Sequence, residues 1–253
     1  MRVDLNADLG ESFGAYSLGH DAGLMRVITS ANIAAGFHAG DPSVLRQTIR
    51  LARTHGVAVG AHPGFPDLVG FGRREMQVNA ADAEDFVLYQ IAAVAGVASA
   101  EGMPLQHVKP HGALFNMAAR DRALADAIAR AVAAFDGRLI LFGPPDSELL
   151  RAGLAVGLRV AAEGFADRAY QSDGTLVSRR TPGSVIHDIE EVVARAVRII
   201  RERTVVAADG SIVPLEVDTL CIHGDTEGAD RLAGRVRAGL EAAKITVRSL
   251  GEP

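Results

Sequence analysis

Residues 3–11 read Val3-Asp4-Leu5-Asn6-Ala7-Asp8-Leu9-Gly10-Glu11. A β-strand sends alternate side chains to opposite faces. Asp4, Asn6 and Asp8 therefore share one face, and Val3, Leu5, Ala7 and Leu9 share the other. A solvated edge strand shows the same alternation. The pattern returns, however, at His107-Val108-Lys109-Pro110-His111-Gly112, where His107, Lys109 and His111 fall on one face. Two separate strands carrying acid, amide, amine and imidazole groups read as walls of one polar site.

Outward from that stretch, short apolar runs alternate with amphipathic segments along the chain. Strands are predicted at 3–9, 28–35, 57–62, 106–109, 139–142, 158–162 and 217–223, with 245–250 as an eighth or a peripheral strand. Helix signals lie between them. Asp41-Pro42 supplies an N-cap and a proline at the first helical position, Val44, Leu45, Ile49 and Ala52 a buried face, and Gly56 a stop. A second helix is predicted over 81–101, stopped by Gly102, and a third carries Leu124, Ile128, Val132 and Phe135. A fourth is expected to start at Thr181-Pro182 and the last at Asp225 or Thr226. Strand–helix alternation argues for a parallel sheet. Continued over 1–253 without a linker, it predicts an α/β fold, a single (β/α) barrel domain with seven strands. A surface hairpin is predicted near 204–214, around Asp209-Gly210. An open doubly wound sheet would want a glycine-rich phosphate turn after the first strand. None is present, nor is a Walker A motif.

Composition narrows the function classes. With 48% hydrophobic and 23% charged residues, the 253-residue chain reads as an ordinary globular protein. Its net charge of −5, without a basic block, argues against a nucleic-acid partner. The single cysteine, Cys221, excludes an intrachain disulfide and a multi-cysteine metal site. No run approaches the about 18 apolar residues of a membrane span, and no signal-like segment opens the chain. The expectation is a cytoplasmic protein that does not enter a membrane.

In a (β/α) barrel the active site gathers at the carboxyl ends of the strands. Asp8 and Glu11 close the first strand; Asn32 lies in the second, with His38 and Asp41 after it. His62 ends the third, and Lys109 and His111 end the fourth. Glu163, Asp167 and Arg168 follow the sixth, and His223 and Asp225 end the seventh. Asp41 and Asp225 also read as helix N-caps, and His55 sits in a helix stop. Two long glycine-rich loops, 63–79 and 164–181, carry Arg73-Arg74 and Arg179-Arg180 and read as functional lids. Asp8, His62, His111 and His223 offer general bases, and Lys109 an oxyanion or phosphoryl anchor. Arg73, Arg168 and Arg179 offer forked donors for a carboxylate or phosphate. Without a Gly-x-Ser-x-Gly motif, and with Cys221 inside a strand, hydrolysis by activated water fits best. Asp8, His62 and His111 also make a possible metal set, without the local spacing that would mark one.

The segments VDLNADLGESFG, SANIAAGFHAGDP, GAHPGFPDLVGFGRR, HVKPHGALFN, EGFADRAY, SRRTPGSVI and CIHGD resemble, in order, the LamB/YcsF family from Val3 to about Asp225. The resemblance implies ATP-dependent opening of 5-oxoproline to L-glutamate by a 5-oxoprolinase complex of this chain with subunits B and C. It also implies a barrel like those of glycoside hydrolases and polysaccharide deacetylases. ATP is then a co-substrate bound by a partner subunit, and the requirement for a divalent metal stays open. Under this reading Asp8, His62, Lys109 and His111 are the catalytic candidates. The substrate-binding candidates are Asn6, Glu11, Asn32, His38, Arg73, Glu163, Asp167, Arg168, Arg179, His223 and Asp225. Family members commonly carry cysteine before GFHAGD; here the residue is Ala35, which reads as a small packing residue.

Two other classes compete. A metal-dependent deacetylase or sugar hydrolase would use the same barrel, but sugar sites usually stack aromatics on the ring, and this chain has no Trp and three Tyr. A non-catalytic scaffold would need neither Lys109 nor several strand-end histidines.

Overall fold

The first strand, β1 (Arg2–Leu9), sets the design. Val3, Leu5, Ala7 and Leu9 are buried under the surrounding helices, and Asp4 and Asn6 are equally buried on the opposite face. That polar face meets the interior of a closed barrel, not water. The structure is a computed structural model and describes residues 1–179, 181–222 and 228–251.

After β1 the chain runs through α1 (Asp21–Leu24), β2 (Ser30–Ala34), α2 (Pro42–His55), β3 (Ala58–His62) and α3 (Ala80–Ala100). It continues through β4 (Leu105–Val108), α4 (Gly112–Ala118), α5 (Arg122–Phe135), β5 (Ile140–Gly143), α6 (Glu148–Ala155) and β6 (Arg159–Phe165). The last elements are α7 (Ile189–Glu202), β7 (Thr204–Val206), β8 (Ile212–Pro214), β9 (Thr219–Ile222), α8 (Ala229–Ala242) and β10 (Thr246–Val247). Seven parallel strands run β1-β2-β3-β4-β5-β6-β9, and β9 closes onto β1. The predicted eighth strand is peripheral: β10 pairs with the start of β1 outside the ring. The β7–β8 hairpin turns on Asp209, whose carboxylate accepts from the Ser211 amide and hydroxyl.

Local chemistry explains the helix bounds. Asp41 accepts from the Ser43 and Val44 amides, Pro42 opens α2, and Gly56 closes it at φ 67°. Leu45, Ile49 and Ala52 are buried beneath it, each large side chain contributing about 1.5–3 kcal/mol. Three expectations need correction. The fourth predicted helix, α7, starts not at Thr181-Pro182 but after Asp188, which accepts from the Glu191 amide. The intervening backbone is committed elsewhere, since Ile186 N–H donates to Asp167 and Val185 bridges Arg168. The last helix begins at Ala229, after Gly228; Asp225 and Thr226 lie outside the described residues. Strand β6 runs on to Phe165, so Glu163 points from within the strand. The short helices α1, α4 and α6 are too brief for a periodicity reading.

The barrel interior is layered and polar. At the amino end, the buried Asp4 carboxylate accepts from the hydroxyls of Thr29, Ser30 and Thr219. Above it, Asn32 donates to Asn6 Oδ1 at 2.7 Å, and His107 Nε2 lies 2.8 Å from Asn32 Oδ1. His107 stacks on Phe142 with centroids 4.3 Å apart. It fits because residue 60 is glycine, where a Cβ would overlap the imidazole ring.

Candidate active site

The third layer opens at the carboxyl ends of the strands. Lys109, just past β4, places Nζ 2.8 Å from Asp8 Oδ1 and 2.8 Å from Glu163 Oε1. Asp8 Oδ1 also accepts from Asn32 Nδ2 at 2.8 Å, and its other oxygen lies 3.3 Å from His62 Nε2. Burial by itself would lower the Lys109 pKa, but the Asp8 carboxylate, with Glu163, holds it well above the usual value. Lys109 is a buried ammonium held between two carboxylates. Burial pushes the Glu163 carboxyl up while Lys109 pulls it down.

A histidine cluster sits beside this ion network. His62, ending β3, has Nδ1 2.7 Å from the Lys109 carbonyl. His111, at the start of α4, has Nδ1 2.9 Å from His62 Nε2 and Nε2 2.8 Å from the Phe71 carbonyl. His38, in the turn after β2, stacks on His111 with centroids 3.7 Å apart. Glu11 Oε1 lies 3.7 Å from both His38 Nε2 and His111 Nδ1. Burial, then neighbouring imidazole charge, lowers the pKa of His38 and of His111 well below normal. Potential ligand atoms of Glu11, His38, His62 and His111 all lie within 4.8 Å of one another.

The two long loops take different parts. In 63–79, Asp67 accepts from Gly70 N–H and Arg74, folding the loop on itself. Arg74 is thereby committed to structure. Phe71 takes a left-handed φ of 55°, and its carbonyl meets His111. Arg73 is exposed, its guanidinium 4.8 Å from the Phe71 ring centroid. In the second loop Arg168 donates to the carbonyls of Ser184 and Val177. Burial, then the charge of Arg179, pushes Arg168 down to about 10, with Arg73 adding to the effect. The three sequence-predicted arginines thus share one electrostatic neighbourhood. Asp167 is buried next to Arg168.

Among the predicted residues, Asp8, Glu11, His38, His62, Lys109, His111 and Glu163 come together in one constellation. Asn6 and Asn32 lie in the layer beneath. His223 and Asp225 fall outside the described residues. Asp41 caps α2 and also accepts from the Gly14 amide at 2.8 Å. Ala35 is half-buried and packs against the core. Two participants escaped the sequence reading. Cys221, set aside as a strand residue, points inward with Sγ 3.1 Å from Lys109 Nζ, and burial keeps its thiol protonated. Its alternation with Leu220 and Ile222 carried that signal. The Phe71 carbonyl is backbone and leaves no trace in residue type.

Residues 3–253 match the LamB/YcsF family. The A subunit of 5-oxoprolinase from Tolumonas auensis is 55% identical over 249 residues, covering 98% of this chain and 99% of that protein. The crystal structure of a lactam utilization protein from Thermus thermophilus superposes with a TM-score of 0.94 at 51% identity, covering 99% of this chain and 100% of that one. A family 4 carbohydrate esterase from Streptomyces lividans reaches a TM-score of 0.50 at 12% identity, over 99% of this chain and 93% of that one, a likeness of fold alone.

Proposed function

This chain belongs to the LamB/YcsF family, and from that premise we propose that it is the A component of an ATP-dependent 5-oxoprolinase, working with subunits B and C. Its substrate is the five-membered lactam of 5-oxoproline, and its product is L-glutamate. The names of the relatives support the lactam class. The observation that carries the reading is the buried chain Glu163–Lys109–Asp8–His62 at the mouth of the barrel.

A lactam carbonyl is a poor electrophile because amide resonance feeds it electrons. Transfer of the γ-phosphoryl group of ATP to the amide oxygen removes that resonance. Water then adds to the carbon and the C–N bond breaks. The nitrogen takes up a proton, leaving an acyl phosphate. A second water releases phosphate and glutamate. The sequence has no Walker A or dinucleotide turn, consistent with ATP bound by a partner subunit.

In this scheme Asp8, His62 or His111 takes the proton from the attacking water. Lys109 offsets charge on the oxygen or the phosphate without having to reorganise. The Arg73–Arg168–Arg179 neighbourhood suits the substrate carboxylate.

The test is glutamate release from 5-oxoproline and ATP, using this chain alone, subunits B and C alone, and the mixture. Glutamate from the mixture only is the expected result. No glutamate from a mixture of folded subunits overturns the reading. Lys109→Met in the mixture should lower kcat by about 10²–10³-fold. Undiminished turnover would remove Lys109 from the mechanism.

A further inference from the structure

We infer that Glu11, His38, His62 and His111 together bind one divalent transition-metal ion, with zinc best matched to the donors. The positions of the ring protons fix which nitrogens are free to ligate. A carbonyl oxygen accepts hydrogen bonds and cannot donate, so the ring nitrogens that meet carbonyls must carry hydrogen. These are Nδ1 of His62, against the Lys109 carbonyl, and Nε2 of His111, against the Phe71 carbonyl. In the neutral rings His62 Nε2 and His111 Nδ1 are then both bare lone pairs. They face each other at 2.9 Å. Two lone pairs at that distance repel unless a cation lies between or beside them.

A proton shared by the two rings is the simplest cation, and Asp8 Oδ2, 3.3 Å from His62 Nε2, would favour it. It leaves His38 unexplained. That ring is 1% exposed, and neither of its nitrogens has a hydrogen-bond partner among the described residues. Burying a polar group in that condition is costly. Its Nε2 nonetheless points into the same cluster, 3.7 Å from Glu11 Oε1. One metal ion answers all three rings at once.

The chemistry of the donor set agrees. Three imidazole nitrogens and one carboxylate oxygen suit zinc, and imidazole ligands whose far N–H is held by a carbonyl are the usual arrangement in metal sites. The four donors come from different segments, after β1, after β2, at the end of β3 and at the start of α4, so only the closed barrel assembles them. The rings are also held in place. A Cβ at Gly64 would come within 2.5 Å of His38 Nδ1, and one at Gly72 within 2.8 Å of both His38 and His111. Such an ion would polarise a carbonyl oxygen and acidify bound water, and with His62 and His111 both ligating it Asp8 is the proton acceptor left for the lactam scheme. That use rests on the lactam reading; the existence of the site does not.

The test is direct binding of Zn²⁺ and Co²⁺ to the full chain after chelator dialysis, by calorimetry and by the visible spectrum of the cobalt form. One equivalent per chain is expected. His38→Ala and the volume-conserving Glu11→Gln, each checked for native circular dichroism, should weaken binding about tenfold or more. No uptake by wild type, or wild-type affinity in both variants, overturns the site and points to the shared proton. The glutamate assay is run separately on the same preparations. A chain that binds one ion but makes no glutamate with its partners keeps the site and loses the lactam reading. One that binds no ion yet turns over fully in chelator loses the site and keeps the lactam reading.

Discussion

Lys109 shows how closely stability and chemistry are coupled at single residues. Its ammonium separates two carboxylates that would otherwise face each other inside the barrel. Removing one partner of such a buried group typically costs about 3–5 kcal/mol. Any neutral residue at 109 carries that cost, so the Lys109→Met test needs a folding control; methionine at least keeps the volume that alanine would also remove. Gly60 is the corresponding steric case. Gly60→Ala should destabilise the chain by at least about 2 kcal/mol, because the new methyl meets a His107 ring already stacked on Phe142. Urea unfolding measures it, and an unchanged midpoint would mean that the ring has somewhere to go. Asn6, Asp8, Lys109 and His111 were legible from alternation, and Glu11, His38, His62 and Glu163 from their place at or after strand ends. The role of Gly60 was not, because a glycine in a strand leaves its facing neighbour unnamed.

At the scale of elements, the loop at 63–79 links structure to the site. Asp67 ties Gly70 and Arg74 together, and that tie holds the strained Phe71 whose carbonyl fixes the tautomer of His111. Asp67→Ala should leave the barrel folded but loosen this positioning. The expected loss in kcat of the reconstituted enzyme is about tenfold to a hundredfold. Full activity with native circular dichroism would show that the loop does not position His111. The sequence marked this stretch as a lid from its length and glycines. Its internal wiring needed the fold, since Asp67 and Arg74 are read equally well as solvated charges. Helix α2 shows the opposite case, because cap, proline and stop glycine are all local signals. Helix α7 begins later than its Thr-Pro signal because the loop before it takes the backbone hydrogen bonds first.

For the whole molecule, the polar barrel interior predicts acid sensitivity. Burial, then the charge of Lys109, lowers the His107 pKa to about 3, against about 6.5 in an unfolded chain. Between those values the unfolded state binds the extra proton. The stabilisation is fully present above about pH 6.5 and is lost as pH falls toward 3, at about 1.4 kcal/mol per pH unit. Urea unfolding of wild type and His107→Gln from pH 7.5 down to 5 should show a shallower slope in the variant. Equal slopes would mean that His107 does not stay neutral in the native chain. Among the described residues no helix is long and apolar enough to cross a membrane.

The strand–helix order, the inward face of β1 and the carboxyl-end location of the polar residues could all be read from the order of residues. They follow from periods of two and 3.6 residues and from the one-sided rule of parallel barrels. The folded chain was needed to show that Glu11, His38, His62 and His111 converge, that Cys221 touches Lys109 and that Glu163 lies within its strand. Convergence depends on barrel closure, on register between strands far apart in the chain and on backbone carbonyls that set ring tautomers. None of these has a period or a residue type to read.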